Sequence, residues 1–540
     1  MILFWLDINS SFAHSSLALP ALHAQSTASE REWQWHVVSG TIHTPIHHFI
    51  NEVTKLQPDL IVATSWLFTH NRLIEVLSRS KALSPHAYIL LGGPQFLGNN
   101  ETFLRAHPYV NAVFRGEGEE IFPKWLRQWA FPEIRDRLTG ICTIDKQGIY
   151  CDHGRAQVSH FQSLLPPESS KFFPTDKPFV QIETTRGCFN DCYFCVSGGD
   201  RPIRTLSIEQ LRDRLLSLSH TNVKEIRILD RTFNADPRRT KEMFQLFCEF
   251  AGIFRFHIEI HPALLTSEFT YLLSLLPKQL LHIEAGLQSL DDHVLKSSGR
   301  AGNSQRSIQG IKLLTDCHCG EIHTDLISGL PNYTLSRVKE DVIELIRLRV
   351  DEVQLEQLKV LPGTKMRDLA PSMGIIYSST PPYEVLATPS MSPEELYEAQ
   401  QLSRLLDGWY NNKSEWREPF VQLTLGEPCF LDTFLHHLMH EQRLEQPLSR
   451  ERRGLLLYDF CLSHHPSYIS HLSAAWIKAG YSLKKAPGLH AVPYNCPTNR
   501  DTTIRYFHLP SSSGGYWFGF DRNQERRKPV TVLQFPPEHL

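Results

Sequence analysis

Three cysteines fall within eight residues in the stretch ETTRGCFNDCYFC, Glu183 to Cys195, spaced C-x3-C-x2-C as Cys188, Cys192 and Cys195. The chain has 11 cysteines in 540 residues, and at that frequency the triple spacing would arise by chance in about one chain in two hundred. In a reducing compartment, cysteines clustered in sequence more often bind metal or react than pair as disulfides. A structural zinc site takes four nitrogen or sulfur ligands, commonly two cysteine pairs, and neither a second C-x2-C nor a matched histidine pair lies nearby. Three thiolates on a [4Fe-4S] cubane leave one iron open, which is what a cluster needs in order to bind and reduce a substrate directly. Gly187 permits a tight turn into the loop, and Phe194 places an apolar ring beside Cys195.

The other cysteines (Cys142, Cys151, Cys248, Cys317, Cys319, Cys429, Cys461 and Cys496) are scattered and are expected to be buried apolar thiols. Neither Cys317 with Cys319 nor His464 with His465 has ligand spacing, so no second metal centre is expected there.

The elements that must position these residues are legible as apolar runs. MILFWLDI, PDLIVATSW, AYILLGGP and NAVFRGEGEE read as strands separated by helical patterns, a doubly wound α/β domain over residues 1–130. Ligands of such sheets lie beyond the carboxyl ends of the strands. Ser15, Ser65, Gly92, Gly93, Gly116, Glu117 and Gly118 all fall there. The glycines either admit a bulky ligand to the backbone or are tight strand-to-helix turns. Residues 131–178, with LLPPESSKFFPTDKP, read as a linker.

A second α/β series over 179–390 offers six strands: FVQIETT, VKEIRILD, FRFHIEI, LLHIEAGL, IHTDLISGL and VDEVQLEQLKVL. Six βα units predict a partial barrel whose reactive groups sit at the C-terminal strand ends, directly where the cysteine loop begins. Residues 391–540 read as a mixed, mainly helical extension, opened by Ser392 as N-cap with Glu395 three residues on.

Composition weighs against several classes. The 55 basic and 58 acidic residues nearly cancel, so nothing pulls the chain generally toward nucleic acid or anionic membrane. The 41% apolar and 21% charged residues are those of a chain that folds throughout. No apolar run approaches the roughly 18 residues of a membrane span, and the start MILFWLDINSSFAHSS lacks the features of a signal peptide, so a cytoplasmic location is expected.

The cysteine loop, with an aromatic just before its third cysteine, resembles the radical S-adenosylmethionine superfamily. The resemblance implies that Cys188, Cys192 and Cys195 hold a [4Fe-4S] cluster, whose open iron binds the methionine part of S-adenosylmethionine and cleaves it to a 5'-deoxyadenosyl radical. The first domain, with LLGGPQF and FRGEGEEIF, is similar to the cobalamin-binding domain that precedes the radical barrel in one large subgroup. LDRTFN, IEAGLQS, DLISGLP, LKVLPGT and PPYEVL extend the likeness to a largely uncharacterised branch of it.

By position, Asp230 replaces the usual Gly-Gly-Glu motif at the second strand end, either accepting from the methionine ammonium or pairing with Arg231. The resemblance further implies that Phe194, Glu284, Gln288, Ser289, Arg300, Gly329 and Pro362 contact S-adenosylmethionine, with Asp325 and Gly363 shaping its adenine end. Glu284, Gly286 and Gln288 share one strand face, so the Glu284 carboxylate needs a partner, a ligand or Arg300. The strand-end serines and glycines of the first domain, with Glu117, would hold cobalamin. No Asp-x-His-x-x-Gly follows the first strand; His14 is the nearest loop histidine.

The implied activity is methylation of an unactivated carbon of a small molecule, with cobalamin as methyl carrier and a flavodoxin or ferredoxin as electron donor. Three alternatives stand beside it: radical rearrangement, cyclisation or oxidation without methyl transfer, methylthio transfer to transfer RNA, and a non-catalytic iron-sulfur or corrinoid sensor. The balanced charge and the lack of a second cysteine triple argue against transfer RNA.

Overall fold

The computed structural model describes all residues except 28–31, 319, 482–491, 495–503, 512–513, 522–527, 530 and 536–540. The first sheet is built from β1 (Ile2–Asn9), β2 (Gln34–Thr41), β3 (Leu60–Thr64), β4 (Tyr88–Gly92), β5 (Ala112–Phe114), β6 (Ile141–Ile144) and β7 (Tyr150–Asp152), in the order β2-β1-β3-β4-β5-β6-β7. β1 to β5 are parallel. Their unbroken apolar sequence follows from burial on both faces. Phe4, Leu6, Ile8, Ile61 and Ala63 enter one core layer, while Leu3, Trp5, Leu60 and Val62 enter the other.

The domain does not end near residue 130. β6 and β7 run antiparallel and extend the same sheet to Asp152, so part of the expected linker is sheet. Strands of four and three residues carry too little periodicity to be read beside the Pro-rich stretch that follows them.

The barrel strands are β8 (Phe179–Ile182), β11 (Glu225–Ile228), β12 (Arg255–Ile260), β13 (Leu281–Gln288), β14 (Gly320–Ser328) and β15 (Glu352–Gln357), each within the run expected of it or within two residues of it. β8 and β11 to β14 pair in parallel in the order β14-β13-β12-β11-β8. Between β8 and β11, the short antiparallel pair β9 (Thr185–Arg186) and β10 (Arg204–Thr205) closes the base of the cysteine loop. Alternation is strict on β12 and β13, with Ile258, Ile260, Ile283 and Ala285 buried outward under helices and polar residues on the opposite face.

Residues Met1–Thr334 and Gln357–Leu396 form one compact unit, so the first sheet and most of the barrel belong together. Leu335–Glu356 and Tyr397–Leu540 form another. The second unit is mostly helical. The helix Pro393–Leu406, which begins in the first unit, has the expected capping box: Ser392 Oγ accepts from Glu395 N at 3.2 Å and Glu395 Oε2 from Ser392 N at 2.8 Å. Helices Arg417–Gly426, Phe430–His440, Arg450–His464 and Ile469–Ala479 follow, then an antiparallel sheet of Val492–Tyr494, Ile504–Ser511, Gly514–Asp521 and Thr531–Phe535. His464 Nδ1 lies 3.0 Å from the Phe460 carbonyl and His465 faces Glu427 at 3.6 Å, both local contacts.

Of the eight other cysteines, Cys142 and Cys461 are buried and Cys151 and Cys317 half-buried. Cys248 and Cys429 are exposed, against expectation, and Cys319 and Cys496 lie outside the described residues. Among the described residues, no helix is long and apolar enough to cross a membrane.

Candidate active site

The cysteine loop leaves β8 and is folded on itself by main-chain bonds. Cys195 N donates to Cys192 O at 3.2 Å, Gly198 N to Cys195 O at 3.0 Å and Cys188 N to Asp200 O at 3.1 Å. Gly187 is required at the loop entrance: its φ is +93° and a Cβ there would lie 2.7 Å from the Asp200 carbonyl. Cys192 is buried, Cys188 and Cys195 half-buried. Burial pushes the Cys192 thiol up, Arg300 pulls it back, and Cys195 and Cys188 push it up again.

The loop is fastened from three sides. Arg300 donates from Nη1 to Cys192 Sγ at 3.7 Å and from Nη2 to Gly286 O at 2.5 Å. Tyr193 N donates to Ser298 O at 2.9 Å, and Tyr193 O accepts from Met366 N at 2.8 Å. Lys365 pairs with Asp191 at 2.5 Å.

Asp230, just past β11, is buried, and its carboxylate accepts from Thr184 N at 2.8 Å, Thr184 Oγ1 at 2.5 Å and Thr185 N at 2.8 Å. It thus holds the backbone that leads into the cysteine loop. Arg231 turns to Glu259 instead, at 3.7 Å.

On β13, Glu284 is met by His257 Nε2 at 3.2 Å, not by Arg300. Burial and then the charge of Glu284 push Asp325 well above the usual carboxylate range, so Asp325 keeps the proton of this pair. Gln288 has φ +72°, in the left-handed region where a non-glycine residue is strained, and Ser289 beside it is buried. The side chain of Phe194 is half-buried in the loop. Gly329 approaches Leu396 and Val385, while Gly363, next to Pro362, packs on Leu97 of the first sheet's loops.

A cavity of about 720 Å³ opens between the carboxyl ends of the first sheet and the barrel, within the ~300–1,000 Å³ of ligand pockets. Gly92, Gly93, Gly116, Glu117 and Gly118 line one end, and Gly187, Val196, Ser197 and Arg231 the other. Ser15 and Ser65 are not among its lining residues. Ser65 is buried, its Oγ 2.8 Å from His70 Nδ1. His14 lies 2.7 Å from Ser11 Oγ at the surface.

Sequence reasoning missed the charged wall of this cavity. Glu117 accepts from Arg204 and Val158 N at 2.7 Å, and Arg186 pairs with Glu119 at 2.6 Å and Glu183 at 2.7 Å. The only sequence signal was an acid run, GEGEE, facing arginines far along the chain.

Burial, and then His107, pull His70 down to about 4 from its ordinary value near 6.5. Below about pH 6.5 the unfolded chain binds a proton that the native one refuses, so His70 destabilises the fold progressively as pH falls from 6.5 to about 4. The effect reaches about 3 kcal/mol. His70→Gln should flatten that part of the stability profile, measured by denaturant unfolding between pH 4 and 7.

Residues 182–345, which contain all three cysteines, match the Radical SAM superfamily, and residues 372–417 match "Protein of unknown function (DUF4080)". Over residues 182–345 the chain carries the domain of the radical SAM superfamily, whose enzymes use a [4Fe-4S] cluster and S-adenosylmethionine. Within it, the chain is similar to an uncharacterized methyltransferase, PH0819, of Pyrococcus horikoshii, at 22% identity over 71% of this chain and 83% of that protein. Its fold is similar to that of the methyltransferase TsrM from Kitasatospora setae, solved with cobalamin and a [4Fe-4S] cluster (TM-score 0.57, 16% identity, 73% of this chain and 84% of that one). It is also similar to OxsB, solved with aqua-cobalamin and S-adenosylmethionine (TM-score 0.59, 16% identity, 88% and 78%).

Proposed function

We propose that this chain is a cobalamin-dependent radical S-adenosylmethionine methyltransferase acting on an unactivated carbon of a small molecule. The observation that carries the reading is the single cavity joining the glycine turns of the first sheet to the cysteine loop. The likeness to TsrM and OxsB supports cobalamin at the first of those ends.

When bound, the cluster and S-adenosylmethionine supply a 5'-deoxyadenosyl radical and the cobalamin supplies a transferable methyl group. The chain's own residues bind, orient and exclude water. Cys188, Cys192 and Cys195 would hold the iron, and Arg300, fixed by Gly286 O, would offer its guanidinium to the methionine carboxylate. Gln288 and Ser289 would face the nucleoside at the end of β13, with Gly329 and Pro362 behind it. Gly92, Gly93 and Gly116 would let the corrin lie against backbone, while Trp66, Leu97, Phe114 and Phe122 keep the cavity dry. The salt-bridged pairs around Glu117 and Arg186 stiffen the wall between the two ends.

The test is to load the protein anaerobically with iron, sulfide and cobalamin, and to measure cobalt, 5'-deoxyadenosine and S-adenosylhomocysteine. Stoichiometric cobalt with both products is expected. Gly93→Ala should lower cobalt retention at least tenfold, because Gly93 sits at φ +103° and ψ 179°, a region essentially closed to other residues. A Cβ there would also lie 2.7 Å from the Ser65 carbonyl. Iron and 5'-deoxyadenosine without cobalt or S-adenosylhomocysteine would move the reading to radical rearrangement without methyl transfer. No 5'-deoxyadenosine from a fully loaded protein would favour the sensor.

A further inference from the structure

Three consecutive barrel strands carry the same triplet, His-x-acid: His257-Ile-Glu259 on β12, His282-Ile-Glu284 on β13 and His323-Thr-Asp325 on β14. Period-two alternation puts both polar members of each triplet on the face opposite the buried isoleucines. That face of a closed or partial barrel is ordinarily filled by Val, Ile and Leu. His257 pairs in register with His282, whereas β14 is displaced by one pleat, so that His282 lies beside Glu321 and Glu284 beside His323. The displacement brings three imidazoles into a row at ring separations of 4.6 and 4.1 Å.

We propose that His282, His323 and Glu321 form a site for a divalent first-row transition metal, at the end of the barrel opposite the cysteine loop. His282 Nε2 and His323 Nε2 are 3.0 Å apart, and together with a Glu321 carboxylate oxygen all three donor atoms lie within 4.8 Å of one another. Two nitrogens each about 2.0–2.1 Å from a tetrahedral zinc are separated by about 3.3 Å, so the pair needs to open by only a few tenths of an ångström. Two histidines and one carboxylate are a donor set common to zinc and non-haem iron.

The surroundings set the tautomer that a ligand requires. His257 Nε2 faces Glu284 Oε2 at 3.2 Å, and a carboxylate there calls for a proton on that nitrogen. His257 Nδ1 lies 3.1 Å from His282 Nδ1, so the two rings meet through these nitrogens. With the hydrogen of His282 on Nδ1, its Nε2 would turn a lone pair toward His323. A ligating imidazole oriented through its far nitrogen by a chain that ends on a carboxylate is the usual outer arrangement of a metal site. Arg255 donates to Glu321 Oε2 at 2.7 Å and anchors that carboxylate. Arg255 and Glu321 have side chains 35% and 43% exposed, which gives an ion a way in from solvent without passing the active-site cavity.

The test uses the protein with its cluster reconstituted, so that the three thiolates are occupied, then freed of loosely held metal on a chelating resin. Zinc and cobalt(II) are the probes. The expected result is one zinc per chain beyond the cluster iron, a cobalt(II) visible spectrum of nitrogen and oxygen ligation, and an unfolding midpoint that rises with added zinc. His282→Gln and His323→Gln should each lower zinc affinity at least a hundredfold while iron content and 5'-deoxyadenosine formation stay at parent levels. Should one of these variants not fold, Glu321→Gln provides the same comparison at the exposed ligand, with at least a tenfold loss. If the parent retains no extra zinc, and its cobalt(II) spectrum and affinity equal those of His282→Gln or Glu321→Gln, the site is overturned and the row is a chain of hydrogen-bonded imidazoles.

Discussion

Cys192→Ser is expected to strip the protein of its cluster, from about four irons per chain to background, and to abolish 5'-deoxyadenosine formation with it. Cys192 is the buried member of the triple and the one whose sulfur is held by a cation, Arg300 Nη1 at 3.7 Å. Serine matches its shape but offers a hard, high-pKa oxygen in place of a thiolate. The loop itself should persist, because its main-chain bonds and its tie through Tyr193 do not pass through the sulfur. Iron quantitation, the charge-transfer absorbance and product analysis measure the effect, with circular dichroism as the check on folding. Cys248→Ser, at an exposed thiol, is the matched control and should change nothing. Parent iron content in Cys192→Ser would remove the cysteine triple from the cluster.

The second large effect belongs to Asp230. Asp230→Ala should lower stability by about 3–5 kcal/mol, because it deprives Thr184 N, Thr184 Oγ1 and Thr185 N of their acceptor in a buried place. It also leaves Arg239, which donates to Thr184 Oγ1 at 3.1 Å, without its nearby anion. Cluster retention should fall with stability, since these two threonines lead directly into the loop. Asp230→Asn keeps one carbonyl acceptor and should lose roughly half as much. If Asp230 served a ligand and not the backbone, Asp230→Ala would unfold within about 0.5 kcal/mol of the parent and lose only affinity for S-adenosylmethionine. Denaturant unfolding of cluster-free protein separates the two.

The parts of this protein written as local periods were legible in its sequence. All six barrel strands fall within two residues of the runs that announced them, and the Ser392 capping box formed as spaced. β2, β6 and β7 escaped because they are partly polar or only three to four residues long, where a period of two has little room to appear. At the candidate site the cysteine spacing stood out in the sequence, but the pairings of the side chains around it did not. Glu284 called for a partner and the natural candidate was Arg300, yet His257 holds it, because partners across a barrel are set by strand order and stagger. The same blindness hid Asp230's hold on Thr184 and the meeting of the GEGEE acids with Arg186 and Arg204, contacts between residues 45 to 87 positions apart.

The fastening of the cysteine loop also bears on how the protein must be made. Arg300 and Lys365 reach the loop from 108 and 174 residues downstream. Contacts of such sequence separation close late in folding, and no ribosome can supply them until most of the chain has emerged. Through that interval three adjacent thiols stand unclamped, in the state where neighbouring cysteines oxidise to one another most easily. Oxygen would therefore damage this protein first as a newborn chain, before any finished cluster exists to be lost. Anaerobic growth, more than anaerobic purification, should decide how much active enzyme is obtained.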